Sequence, residues 1–351
     1  MTALLYVAGI AGMFLLLIAP HEAGHFALAK LFKVRVIEFS IGAGTRLWSV
    51  SRGGTLYAIR AFPILGYVRM GGMEAGDFED PSGFHHKAAW QRILILLAGP
   101  AANFVVAMIL FAGLGLSQVN SDPGKVVTVV PGTTAARTGF VPGDRITTVN
   151  GRPVSPGYVQ KVEDHQPGVP LIISGVHAGG QPFTYVVAPV CTPQKQCHIG
   201  LGVAPVVTVQ SALLDGVEFP FRAIGEIVNG LGALITGQVP GGVFGPQGFT
   251  GPIGIADVTA GAVSQGPSTY IFLVALLSVA LGFTNLLPFL ALDGGRVVVV
   301  LLEVLRRRPF DRASELNFQR FGLAALLAIA AVISVLDIQR IATGQFPGFT
   351  H

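Results

Sequence analysis

The chain has 351 residues, 51% of them hydrophobic and 12% charged, with a mean hydropathy of +0.62 and a formal net charge of +4. Ordinary soluble domains carry roughly a quarter charged residues, so the composition excludes a soluble protein and indicates an integral membrane protein. The basic balance requires no nucleic-acid partner, because multi-spanning chains gather Lys and Arg on one side of the bilayer.

Residues 1–32 are predicted to form the first transmembrane helix. Met1 to Ala19 contains no charged residue, and with the turns that follow it reaches the ~20 residues that a span needs. It has neither a basic n-region nor a cleavage site, so it reads as a retained span rather than a signal peptide. The sequence His21-Glu22-Ala23-Gly24-His25 follows. Residues four apart share a helix face, so His21 and His25 can hold one Zn²⁺ while Glu22 faces an activated water. Ionisable groups at membrane depth cost about 2.5–3.5 kcal/mol each on insertion scales and mark functional sites. The blander reading is a pair of interfacial histidines beside an unrelated carboxylate.

Residues 33–92 read as a cytoplasmic or membrane-associated loop and strand. Phe39 to Gly44 is a glycine-rich turn, and Leu56 to Phe62 alternates as a strand. Extended backbone at membrane depth is tolerated only where protein or a cavity covers it. A membrane-associated β-hairpin dipping toward the metal would offer its edge to an unwound substrate; the alternative is a plain cytoplasmic hairpin. Residues 93–117 form the second span.

Residues 124–205 are predicted to be a small β-rich domain. Lys125 to Val130, Leu171 to Gly175 and Phe183 to Val187 have strand character, with Gly and Pro between them, and Thr134 to Thr138 is a short helix. The order strand, short helix, Gly139-Phe-Val-Pro-Gly-Asp-Arg-Ile146, strand, Asn150-Gly151 turn resembles the PDZ modules of bacterial proteases. Such a module implies a peptide ligand bound by strand addition; a spacer without a ligand is the alternative.

Within residues 206–268, Phe219 to Ile235 is interrupted by Arg222, Glu226 and Asn229 and reads as an interfacial amphipathic helix. Residues 269–300 contain the third span and an Asp-Gly motif, Asn285-Leu-Leu-Pro-Phe-Leu-Ala-Leu-Asp293-Gly-Gly295. Pro288 ends the helix, leaving Asp293 as a carboxylate at membrane depth. A catalytic zinc takes three protein ligands and keeps one position open, and Asp293 is the candidate third ligand; a helix-capping role is the alternative. Residues 320–338 form the fourth span. The fold class expected is thus a polytopic α-helical membrane protein of about four transmembrane helices with an inserted extracytoplasmic β-rich domain.

Basic residues cluster between the first two spans (Lys33, Arg35, Arg46, Arg52, Arg60, Arg69, Lys87, Arg92) and between the last two (Arg296, Arg306, Arg307, Arg308, Arg312, Arg320), and are sparse in Ser117 to Ser268. Short basic loops stay cytoplasmic, which places the β-rich domain and both termini outside and the His-Glu motif toward the cytoplasmic end of the first span. Cys191 and Cys197, the only cysteines, would then lie in an oxidising compartment and favour a local disulfide. A metal site with His198 has too few ligands, and two free thiols remain the alternative.

Taken together, these pieces resemble the site-2 protease family, intramembrane zinc metalloproteases of the bacterial regulator-of-sigma-E protease type with a single PDZ domain. The matching pieces are His21 to His25, Phe39 to Gly44, Tyr57 to Val68, Ala98 to Asn103, the PDZ-like segment, Thr250 to Ile255, and Asn285 to Gly295. The resemblance implies zinc bound by His21, His25 and Asp293, with Glu22 as general base. It implies that the loop and strand hold substrate extended, with Gly42, Tyr57, Ala58 and Ile59 as contacts, and Asn103 and Asn285 as candidate donors at the scissile bond. The implied partners are single-span membrane proteins, among them anti-sigma factors and remnant signal peptides, together with membrane lipids. The chain departs from the family at Ala280, where relatives often have asparagine, at Leu290, where they often have a second proline, and at Arg296, where they often have histidine. Two rivals are a non-catalytic membrane PDZ scaffold with a structural zinc, and a zinc enzyme acting on a lipid or small amide.

Overall fold

A computed structural model describes residues 2–74, 76–155, 169–191, 197–242, 245, 248–289 and 291–345. It divides into two compact units, one of residues 1–114 and 215–351, the other of residues 115–214.

The first unit is built on helices. They are α1 (Thr2–Leu31), α2 (Ala89–Ser117), α4 (Val209–Ile235), α5 (Pro252–Gln265), α6 (Pro267–Leu286), α7 (Asp293–Arg306) and α8 (Arg312–Ala342), with α2 and α4 running on into the second unit. Four of them, α1, α2, α6 and α8, are long and apolar enough to cross a membrane, consistent with a polytopic membrane protein. The third candidate span is the continuous helix α6. α6 stops at Leu286, as expected where Pro288 follows, and α7 begins at Asp293. α8 is longer than the apolar run within it and carries two buried ionisable residues near its end, Asp337 and Arg340. Asp337 Oδ2 accepts from Gly251 N (2.8 Å) and Gly254 N (2.9 Å) at the start of α5, and Arg340 Nη1 donates to Phe249 O (2.7 Å). Two amides that no helix turn can satisfy thus receive a charged acceptor, and α5 packs on α1 and α6.

Between α1 and α2 lies a bent hairpin of β1 (Val36–Arg52) and β2 (Thr55–Met70). Both strands fold back, so each pairs twice. Residues 36–41 of β1 lie between 56–59 and 66–70 of β2, and 56–59 pair again with 48–51. The spatial order is therefore 48–51, 56–59, 36–41, 66–70. Gly42 sits at the bend with φ +94°, where a Cβ would lie 2.9 Å from the carbonyl oxygens of both Arg60 and Phe62; only glycine fits there. A buried carboxylate ties the layers together. Glu38 Oε1 accepts from Arg60 Nη2 (2.7 Å) and Tyr67 OH (2.9 Å).

On the other side, α7 is braced by Glu303, which accepts from Arg92 Nη1 at 2.7 Å and Arg312 Nη1 at 2.6 Å. Burial, with the charges of Arg312 and Arg92, pushes the neighbouring His85 imidazole down to about 3, so it stays neutral and adds no third cation there.

The second unit is β-rich. A four-stranded sheet runs β5 (Arg152–Pro153), β4 (Arg145–Val149), β6 (Leu171–Val176), β7 (Pro182–Val187), and β3 (Val126–Val129) pairs with β10 (Leu201–Val203). Its core contains Val126, Phe140, Ile146, Leu171, Ile173, Phe183, Val187 and Ile199, with the short α3 (Thr134–Thr138) contributing Ala135. In the small pair β8 (Val190–Cys191) and β9 (Cys197–His198), the backbones of Cys191 and Cys197 face each other. The side chains that a disulfide would join lie outside the described residues, as does Leu290.

Candidate metal centre

The helical period brings His21 and His25 together on one face of α1, their rings edge-to-face at 4.8 Å. His25 Nδ1 donates to Ile95 O of α2 at 2.8 Å. That bond fixes the tautomer and leaves the Nε2 lone pair free, as second-shell partners of metal ligands do. α2 can pass this close because residue 99 is glycine: a Cβ there would press on His25 Nε2 and lie 2.6 Å from its Cε1 and 2.9 Å from His21 Cε1.

Asp293 arrives from the turn between α6 and α7. Gly294 lets that turn close, since a Cβ on it would collide with Leu286 O and lie 2.5 Å from Leu287 O. As first residue of α7, Asp293 is also an anion at the favourable end of a helix dipole. Its Oδ2 lies 3.2 Å from His21 Nε2 and 3.3 Å from His25 Nε2, and the two Nε2 atoms are 3.2 Å apart.

This near-equilateral triangle tests whether a metal fits. Tetrahedral zinc with bonds of about 2.0–2.1 Å separates its ligand atoms by roughly 3.3 Å, matching the observed edges. Asp293 Oδ2 is buried without a hydrogen bond, which a buried carboxylate does not tolerate unless a cation is its partner. A zinc held by these three residues would keep one position for water or substrate, and all three border a cavity.

That cavity, about 670 Å³, is lined by His21, Glu22, His25, Asp293, Asn285, Thr284, Ala280 and Arg296, by the apolar Phe14, Leu17, Leu277 and Leu281, and by Leu65 to Val68 of β2. Gly66 lets the strand run against the helix: a Cβ there would lie 2.7 Å from Ile18 Cγ2 and 3.0 Å from Glu22 Cγ. Among the described residues, Gly66 to Val68 has β1 on one side only, so its outer backbone edge is open.

Of the residues singled out from sequence, His21, Glu22, His25, Asp293 and Asn285 meet at this cavity, and Gly42, Tyr57, Ala58, Ile59 and Asn103 do not line it. The strand edge expected near Tyr57–Arg60 is elsewhere. Tyr57, Ala58 and Ile59 pair with Phe39, Ser40 and Ile41 on one side and with Val50, Ser49 and Trp48 on the other, so their amides are consumed within the sheet. Gly42 serves the bend. Asn103 is fully buried, its main-chain oxygen accepting from Ser278 Oγ at 2.9 Å, and it joins α2 to α6. Asn285 Nδ2 donates to Leu281 O at 3.0 Å, one turn back. Sequence reasoning did not single out Leu65 to Val68 within the matched Tyr57–Val68 piece, nor Arg296, as wall residues. The strand alternation reached Phe62 but carried no signal for which edge stays open.

Two imidazoles and a carboxylate at zinc spacing, open to a cavity in a protein with four candidate spans, define a membrane metalloenzyme of the hydrolytic type. The chain matches the description Peptidase family M50 over residues 9–329 and belongs to that family. It is similar to the metalloprotease MmpA of Caulobacter vibrioides, with 30% identity over 390 residues, covering 94% of each chain. It is also similar to the zinc metalloproteases RasP of Bacillus licheniformis (28% over 407 residues, 92% of this chain and 96% of the relative) and of Geobacillus kaustophilus (28% over 405 residues, 91% and 94%). The protein is a membrane zinc metalloprotease, and among the described residues His21, His25 and Asp293 form a group able to hold a metal ion.

Proposed function

We propose that this metalloprotease cuts peptide bonds inside the membrane-embedded segments of single-span proteins, such as membrane-anchored anti-sigma factors or remnant signal peptides. The observation that carries this reading is a metal triangle and a carboxylate opening into a largely apolar cavity with a free strand edge as one wall. When bound, zinc supplies Lewis acidity, polarising the scissile carbonyl and acidifying a water. Glu22 takes that water's proton and returns it to the leaving amine. His21, His25 and Asp293 hold the metal, and the Ile95 carbonyl keeps the His25 ring oriented. A helical substrate has its amides bonded internally and must unwind to be cut. The edge Gly66 to Val68 offers replacement partners by strand addition. Asn285, on the cavity wall, is the nearer of the two candidate amide donors, and Ala280 adds only a methyl group.

The Lys/Arg distribution supports a cytoplasmic-side metal site in a bacterial plasma membrane, surrounded by its lipids, with the 124–205 domain outside. The PDZ-like order of elements supports that domain as a size filter or a receptor for peptide ends. The deciding experiment pairs Glu22→Gln with a single-span peptide. The variant should keep about one zinc per chain and lose cleavage. Cleavage by Glu22→Gln at the wild-type rate would remove Glu22 from the chemistry, and failure of the wild type on every transmembrane peptide would remove the substrate class.

A further inference from the structure

We propose that Arg296 is a specificity-determining residue whose guanidinium recognises a carboxylate on the substrate two or three residues from the scissile bond. The inference rests on the peptide-cleaving reading of the cavity given above.

The ionisable groups on the cavity wall are His21, Glu22, His25, Asp293 and Arg296, the two imidazoles serving as neutral metal ligands. A divalent metal offsets the two carboxylates and leaves the guanidinium as the net charge of a cavity otherwise largely apolar. A charge in such surroundings is costly unless paired.

The other buried or half-buried arginines are paired. Arg60 lies 2.7 Å from Glu38, Arg92 2.7 Å and Arg312 2.6 Å from Glu303, Arg340 3.6 Å from Asp337, and Arg69 3.7 Å from Glu74. Arg296 has no carboxylate within ion-pair distance among the described residues. It is held instead by a neutral amide, Nη2 donating to Gln319 Oε1 of α8 at 3.0 Å. Gln319 is in turn tethered, its Nε2 donating to Glu315 Oε1 at 3.3 Å. The guanidinium is thereby positioned without being neutralised, and its Nε has no partner. A planar guanidinium with free donors is the group that best recognises a carboxylate.

The reach follows from the helix. Arg296 stands three residues after Asp293 on α7, about 4.5 Å along the axis. With its side-chain length, that places the bound anion some two or three residues of extended substrate, at about 3.3 Å each, from the metal.

The test begins with wild-type enzyme and mass spectrometry to locate the cut in a single-span peptide. Fluorescent derivatives then carry Asp, Asn or Lys at the second or third residue on either side of the cut. Their binding to zinc-loaded full-length Glu22→Gln protein in neutral detergent is measured by anisotropy, alongside KM and kcat in the wild type. The expected result is one position at which Asp binds on the order of 10-fold tighter than Asn, with the difference carried by KM. Adding Arg296→Gln to the Glu22→Gln background should bring the Asp/Asn ratio to about 1 with zinc content unchanged, while Arg296→Lys should keep part of it. Should Arg296→Gln not fold, the substrate panel on the unaltered site and the Lys variant still decide. Equal binding of Asp and Asn at every position, or an Asp preference surviving Arg296→Gln, overturns the assignment. Cleavage without discrimination sinks only the Arg296 inference; absence of cleavage of any peptide sinks the functional reading and this inference with it.

Discussion

Replacing Gly99 by alanine tests the metal centre through its packing rather than its ligands. The added methyl would press on His25 Nε2 and lie 2.6 Å from Cε1, against an ordinary contact of about 3.5–4.0 Å. Something must move by roughly 1 Å. The His25 ring cannot swing aside freely, because its Nδ1 is bonded to Ile95 O on the same helix that carries the new methyl. Zinc sites tolerate ligand shifts of only about 0.2 Å. The expected loss of zinc affinity is therefore at least the 10–100-fold typical of disturbing a ligand's support, with activity falling in step. The assay is zinc retained per chain after dialysis against graded chelator, read by plasma mass spectrometry, with thermal unfolding as a check on the fold. Gly113→Ala on the same helix is the control: no atom lies within 4 Å of its added methyl. It should leave zinc untouched and add roughly 0.5–1 kcal/mol of helix stability. A folded Gly99→Ala protein with wild-type zinc affinity would refute the placement of the metal against α2.

Three further outcomes follow from other parts of the molecule. Asp337→Ala strips two amides of their acceptor and leaves the 5%-exposed Arg340 without its carboxylate, a loss of about 3–5 kcal/mol that should lower the unfolding temperature in detergent; an unchanged midpoint would contradict this. Burial pushes the Glu38 carboxyl up, but the hydrogen bonds from Arg60 and Tyr67 outweigh it and hold it below the ordinary range. Its contribution is thus fully present above the unfolded value of about 4.3 and is lost as pH falls through the lowered one. Protection of the 36–70 hairpin amides, taken as the observed hydrogen-exchange rate relative to the intrinsic rate at each pH between 7 and 3, should fall at the acid end, and this loss should be weaker in Glu38→Gln. Deleting residues 124–205 removes no residue of the metal triangle, so the variant should keep its zinc and cleave substrates whose ectodomains are intact; a zinc-loaded deletion variant that still demands trimmed substrate would place selectivity in the membrane unit.

What sequence could and could not disclose about this site follows from how each part is encoded. His21 and His25 belong to one helix, where a spacing of four is already a geometry, so their convergence was readable from the letters alone. Asp293 is a tertiary partner, and only the break at Pro288, the glycines after the aspartate and the family resemblance pointed to it. The Gly294 carbonyl contacts explain why that turn closes. The strand edge was not readable. Alternation in Leu56 to Phe62 says that one face differs from the other, but edge or interior depends on what pairs laterally, and the bend at Gly42 gives 56–59 two neighbours and 66–70 one. Asn103 illustrates the converse: a polar residue inside a span invites a catalytic reading, yet it does not line the cavity, and its link from α2 to α6 is made by the main-chain oxygen rather than by the amide. Arg296 stood out in the sequence only as one of the basic residues between the last two spans and as a departure from the family's histidine. Its meaning lies in a negative that the letters cannot express, a half-buried guanidinium held by an amide in a unit where the comparable arginines have carboxylates. Binding energy for a substrate resides in such uncompensated groups, because a fully paired cavity has nothing left to offer an incoming charge.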